Sequence, residues 1–281
     1  MLTAITLTAF AALAMAKPMT SEVPHVFKRI SSGCGTSGAA SCSSSAEGSC
    51  CFEAPGGLLL QTQFWDTDPS TGPTDSWTIH GLWPDNCDGT YRSVLSHNYR
   101  EMETLIIPYS ENCDSSRDYT GISTLLTDNG ASSTLAYMQD YWLNDDGTSE
   151  ELWEHEWATH GTCYSTLEPS CFGDSYYKGE EAVAFYETVV ALFKTLPTYE
   201  WLAASDITPS DSKTYEWSAV EAALVKNGNG MKPAVTCSSG KISAISWYFN
   251  VKGSLVDGDF VAIDSPVSST CSGSVKYPTK S

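Results

Sequence analysis

Basic residues are scarce in this chain: 15 Lys and Arg face 34 Asp and Glu, leaving a formal charge of −19 over 281 residues. The sequence pI is near 4.4. At neutral pH such a chain repels polyanions and offers no basic footprint for tight nucleic-acid binding. Taken alone, the charge fits an extracellular hydrolase working at low pH, where carboxylates protonate and the repulsion fades. Long apolar runs are missing too: none approaches the ~18 residues read as a bilayer-spanning helix, so no membrane partner is expected. There is no C-x-x-C pair to suggest a metal knuckle or a redox motif, and no Asn-x-Ser/Thr sequon to accept N-glycans. No internal repeat and no linker divides the chain beyond its N-terminal segment.

That segment is distinctive. Residues 1–16 carry no charged side chain and end in Ala14-Met15-Ala16, which predicts a secretory signal peptide even though the usual basic n-region is absent. Residues 17–29 end in Lys28-Arg29, and a dibasic pair just ahead of the first cysteine suggests a pro-segment removed during secretion. Residues 30–281 then form one domain of a soluble, extracellular and monomeric protein. All ten cysteines lie in this part, and with a signal peptide the expectation is five disulfides. Four of the ten fall within residues 34–51, a Ser/Gly-rich stretch with too little apolar surface to hold itself in place without covalent ties.

Further along, residues 57–64 read as a buried strand, residues 66–75 as a turn-rich loop, and residues 76–80 as a second strand ending at His80, after which residues 81–85 turn the chain. Helical spacing recurs over residues 98–107, 135–143, 180–196 and 215–226. The third of these is the clearest, with apolar residues at 182, 183, 185, 186, 189, 190, 193 and 196 and Pro197 as its stop. His97 reads as an exposed loop residue. The tail changes character: residues 234–236, 241–251 and 260–263 are β-branched or aromatic runs between glycine turns. Helices and strands without strict alternation give the class α+β.

The chemistry concentrates in residues 153–163, Trp-Glu-His-Glu-Trp-Ala-Thr-His-Gly-Thr-Cys, which hold two of the five histidines. Just upstream, Thr148 and Glu151 have the spacing of a capping box, with acids in the first turn, and Gly161 is a natural C-cap. Both histidines are therefore expected on one short helix, with Glu156 facing His160 and His155 facing Thr159 at i, i+4. A carboxylate so placed favours the protonated imidazole and can fix its orientation. The stretch is close to the zinc-protease motif, but the histidines stand at i, i+5 and Thr159 takes the place of the second ligand, so neither that metal site nor any other cofactor is expected. His80, at a strand end before Gly81-Leu82-Trp83-Pro84-Asp85, suits an active-site position.

His80-Gly81-Leu82-Trp83-Pro84 together with residues 155–163 resembles the two active-site segments of the ribonuclease T(2) family, its secreted fungal members above all. The similarity extends from Cys34 to the segment around Cys271. The resemblance implies a single domain with a central antiparallel sheet and packed helices, and an endoribonuclease that cuts single-stranded RNA without metal, through a 2′,3′-cyclic phosphate hydrolysed to a 3′-phosphate. Such a reaction needs one group to take the 2′-hydroxyl proton and another to protonate the departing 5′-oxygen, and two histidines can exchange these roles. Carried over by position, His160 is the base, His80 the acid and His155 a phosphate contact; Glu156 lies at the phosphoryl group or holds His160 in its working state. Trp83, Asp85 and Tyr91 match the primary nucleobase pocket. The pairing implied is Cys34–Cys51, Cys42–Cys87, Cys50–Cys171, Cys113–Cys163 and Cys237–Cys271.

Two departures stand out. Thr159 occupies the position of the family's usual lysine, and losing a charged donor at a transition state can cost about 2.7–4 kcal/mol. An alternative arises from it: a low-activity or inactive relative acting as a secreted binding or cytotoxic protein. Asp145 and Asp146 stand where fungal relatives carry an uncharged second base site, and are expected to weaken or re-tune the downstream nucleotide.

Overall fold

The computed structural model describes residues 33–43, 46–89, 111–228 and 230–280. The signal peptide, the pro-segment, His97, Tyr91 and the helical pattern at 98–107 lie outside the described residues. In chain order come β1 (Leu58–Phe64), β2 (Thr78–Asp85), α1 (Ile122–Asp128), α2 (Ser132–Tyr141), α3 (Ser149–Thr159), α4 (Glu180–Lys194), α5 (Thr198–Ala203), β3 (Tyr215–Glu216), α6 (Trp217–Asn227), β4 (Ala234–Ser238), β5 (Lys241–Lys252), β6 (Asp259–Ile263) and β7 (Ser274–Val275). The α+β class holds. Among the described residues, no helix is long and apolar enough to cross a membrane.

β1 is the sheet's interior strand, antiparallel to β2 on one side and to the long β5 on the other, while β4 and β6 take the two ends of the far edge of β5. β1 is buried on both faces, apolar at Leu58–Leu60 and polar at Gln61, Thr62 and Gln63. Leu59 joins the main core with Phe185, Tyr186 and Val189 of α4, and Leu58 and Leu60 join a smaller cluster with Tyr248, against which Trp83 packs. α4 answers its apolar pattern, burying Ala182, Val183, Phe185, Tyr186, Val189, Val190 and Phe193.

The structure departs from expectation in three places. β2 does not turn after His80 but runs on through Trp83 and Pro84 to Asp85; among the described residues it pairs with β1 alone, at the edge of the sheet, where a proline is tolerated. α6 begins at Trp217, because Tyr215–Glu216 pair with β7 instead. The short helices α1 and α5 were not foreseen; neither shows a side-chain N-cap.

The cysteines pair as Cys34–Cys51, Cys42–Cys87, Cys50–Cys171, Cys113–Cys163 and Cys237–Cys271. A second tie holds the cysteine-rich lead. Glu53 is fully buried, and its carboxyl accepts hydrogen bonds from the backbone N–H and hydroxyl of both Ser165 (3.0 and 3.2 Å) and Thr166 (3.2 and 2.9 Å).

Candidate active site

α3 starts as its sequence dictates. The Thr148 hydroxyl accepts from the Glu151 N–H at 3.3 Å and the Glu151 carboxylate accepts from the Thr148 N–H at 2.8 Å, closing the capping box. Two indoles bolt the helix inward: Trp153 donates to the Trp142 carbonyl (2.8 Å) and Trp157 to the Arg117 carbonyl (2.6 Å). The far end differs from expectation. His160, not Gly161, is the C-cap, with φ −114°, and Gly161 opens a tight 3-10 turn. Gly161 is required because the Trp157 ring fills the space a Cβ would take. The buried Arg117 guanidinium then fixes the next two turns of chain, donating to the carbonyls of Thr162 (2.7 Å) and Leu167 (3.0 Å).

His80 is held by a device of another kind. β2 pairs Gly81 with Thr62 and Ile79 with Gln63, so His80 is the extra residue of a β-bulge. Its carbonyl accepts from the Trp142 indole at 2.9 Å, and the Phe64 ring stacks on its imidazole at 4.1 Å and 21°. A bulge bends the strand and re-aims the side chain.

The two halves meet at Glu156, which is 0% exposed. Its Oε2 accepts from the Trp83 indole N–H at 2.9 Å, while Oε1 makes no hydrogen bond and lies 3.6 Å from His80 Nε2. The Trp83 ring lies against His160 (5.1 Å, 29°) and edge-on to His80 (5.3 Å, 85°). His155 is exposed, stands edge-on to His160 at 6.2 Å, and its Nδ1 is 3.2 Å from the Thr159 hydroxyl, the i, i+4 pair foreseen.

Electrostatics sorts these groups. Burial, with only the Trp83 bond opposing it, raises Glu156 to about 8. Burial and the charge of His155 lower His80 to about 4, against a small upward pull from Asp145. Burial with His155 and His80 lowers His160 to about 3. The Glu156–His80 contact is therefore between neutral groups over the pH range separating these values. This corrects the expected effect of Glu156 on His160: a neutral acid does not favour the imidazolium. Asp85, opposite Leu58 in the ladder, is raised to about 7 by burial and by Glu111.

The helical register also misjudged how far apart the ligand atoms lie. Because α3 ends at Thr159, His155, Glu156 and His160 bring one ligand atom each within 4.8 Å of one another. A cation there would have to displace the proton that burial holds on Glu156, since a ligating carboxyl is ionised. Reasoning from sequence missed Phe64, Trp142 and the need for Gly81, whose Cβ would collide with Glu156 Oε2 and the Trp83 indole nitrogen. Only Phe64, closing a strand just upstream, left a signal that could have been followed.

Two half-buried imidazoles beside a buried, neutral carboxyl make a set suited to acid–base transfer. Comparison with known proteins gives that class its family. The model of the Ribonuclease T2 family matches residues 56–258. Ribonuclease Le2 of Lentinula edodes is 59% identical over 254 residues, covering 89% of this chain and 98% of the relative. Ribonuclease M of Aspergillus phoenicis is 47% identical, covering 88% and 98%. The crystal structure of Actibind, a T2 ribonuclease, superposes with a TM-score of 0.79 at 47% identity, covering 88% of this chain and 98% of that one. Human RNase T2, at 20% identity and a TM-score of 0.51, shares the fold. The chain belongs to the ribonuclease T2 family and is an RNA-cleaving endoribonuclease of that type.

Proposed function

We propose that the protein is a secreted, acid-optimum endoribonuclease that cleaves single-stranded RNA by transphosphorylation, using His80, His155, Glu156 and His160 and no metal. The observation that carries this is the convergence of His80 and His160 on the Trp83–Glu156 pair, with the unpaired carboxyl oxygen Oε1 lying 3.6 Å from His80 Nε2. His160 serves as the base and His80 as the acid, the roles their positions in the family's two active-site segments imply; burial lowers both imidazoles, so each exchanges its proton readily in acid. In the first step His160 takes the 2′-hydroxyl proton, the 2′-oxygen bonds to phosphorus, the P–O5′ bond breaks, and His80 protonates the departing oxygen. In the second step His80 takes a proton from water, the hydroxide opens the cyclic phosphate at P–O2′, and His160 returns its proton to the 2′-oxygen. Glu156, neutral at these pH values, donates a hydrogen bond to the phosphoryl oxygen as charge gathers there.

His155, exposed and oriented by Thr159, contacts the phosphate. Trp83 and Asp85, with Tyr91, take the upstream base; Asp145, close enough to influence His80, lies toward the downstream nucleotide. Thr159 is 6% exposed and engaged with His155, so its hydroxyl serves an imidazole instead of replacing a lysine charge at the phosphate. The alternative of an inactive binding protein is not favoured. Export rests on residues 1–16 and 17–29, and five disulfides suit an oxidising exterior. The working form is proposed to be a monomer off the membrane.

The test is an assay of the secreted protein on homopolymer RNAs from pH 4 to 8, with and without EDTA. Release of 2′,3′-cyclic nucleotides, highest at the acid end, indifferent to EDTA and lost in His160→Phe, is the expected result; no cyclic product at any pH sinks the proposal. In the same assay Thr159→Val is expected to lower turnover about tenfold or less, as loss of one neutral hydrogen bond allows.

A further inference from the structure

Trp83 matches a base-stacking platform, yet its contacts point elsewhere as well. One face of the indole already lies against His160 at 5.1 Å. Its N–H, which can only donate, is spent on Glu156 Oε2 at 2.9 Å. The oxygen that receives that bond is thereby assigned as acceptor. The other, Oε1, is buried and without a hydrogen-bond partner, and stands 3.6 Å from His80 Nε2. The backbone beneath is stiff: Trp83 pairs with Leu60 and Gly81 with Thr62 in the β1–β2 ladder, two residues apart and so on one face. At Gly81 the absence of a side chain is what lets the carboxyl and the indole touch.

We propose that Trp83 is a positioning residue for cleavage: its indole N–H pins Glu156 Oε2, so that Oε1 is the oxygen presented to the phosphoryl group beside His80. This rests on the acid–base reading above and adds to it the residue that decides which carboxyl oxygen works. A plain stacking platform needs an aromatic ring but no N–H, and the two roles separate on substitution. Trp83→Phe keeps a ring and removes the donor. Gly81→Ala keeps indole and carboxyl and pushes them apart.

The experiment is steady-state cleavage of poly(A) and poly(U) at the wild-type optimum by the full secreted chain, its variants Trp83→Phe, Gly81→Ala and Glu156→Ala, and Trp83→Phe in the Glu156→Ala background. The expected result is a fall in kcat of about tenfold or more for Trp83→Phe and for Gly81→Ala, with KM changed less than about threefold on either polymer. In the Glu156→Ala background, Trp83→Phe is expected to add less than about twofold, because its target is gone. Losses confined to KM, or a Trp83→Phe penalty as large without Glu156 as with it, overturn the inference and leave Trp83 a platform. Unchanged kcat in Gly81→Ala also overturns it, and since that variant alters neither functional group it guards against misfolding of the tryptophan variant. If the unaltered protein releases no cyclic phosphate, the acid–base reading fails first, before any variant is compared.

Discussion

His155 stands on, and His160 caps, a helix whose start is written in four consecutive residues, whereas His80 stands on a strand whose shape depends on β1, on Phe64 and on an indole just past the end of α2. The helical half is local: the Thr148–Glu151 box sets its start, and the tryptophans at 153 and 157 set the inward face. The strand half is assembled at a distance. Its bulge exists only where β2 pairs with Thr62 and Gln63, and the Trp142 N–H satisfies the bulged carbonyl. One half would be expected to keep its geometry when its neighbours are altered; the other borrows its geometry from them.

The sharpest way to probe the comparison is to remove the imidazoles in turn. His80→Ala and His160→Ala are each expected to lower kcat by about 10²–10⁴ on RNA, the usual worth of a positioned acid or base, and less than additively together. A His80 variant that keeps near-full turnover would mean that the strand half is dispensable. Next in size is the contrast between carboxyl and imidazole with pH. Glu156 is raised in the fold from 4.5 to about 8, so the stability it contributes as a neutral acid is full below 4.5 and is lost as pH climbs toward 8. His160 is lowered from 6.5 to about 3, so its contribution is full above 6.5 and is lost as pH falls toward 3. Melting temperatures of Glu156→Gln should therefore gain on wild type from pH 5 to 8, and those of His160→Phe should gain from pH 6.5 down to 3.

Smaller effects separate the supports. Trp142→Phe leaves the His80 carbonyl without its donor and is expected to cost about 1–3 kcal/mol in denaturant unfolding, with a drop in kcat because the bulge relaxes. Thr148→Ala removes one side of the capping box and is expected to cost about 1 kcal/mol while leaving kcat unchanged, since the tryptophans still hold α3. Equal kinetic damage from both variants would erase the distinction between a local half and a borrowed one.

Legibility followed the same line. The start of α3, the His155–Thr159 pair, α4 and the sheet strands could be read from spacing because neighbours in sequence decide them. The bulge at His80 could not, since it is a property of two strands in register; nor could the continuation of β2 through Pro84, which depends on that strand's place at the sheet edge. Convergence of His155, Glu156 and His160 was misjudged because an ideal helix was extended one residue past its end. The cysteine pairing came only with the family resemblance: ten thiols admit many connectivities, and spacing chooses none of them.

Glu53 gives the cysteine-rich lead a mechanical meaning. With Cys50 bonded to Cys171 and the Glu53 carboxyl gripping Ser165 and Thr166, the lead is fastened to the chain just past the turn at Gly161–Cys163. It is less a cover than a brace along a load path: strain on the lead is delivered to the foot of α3. Unclipping this segment is therefore expected to slacken the histidine end of that helix, acting through Ser165, Thr166 and Cys171 and not through any imidazole.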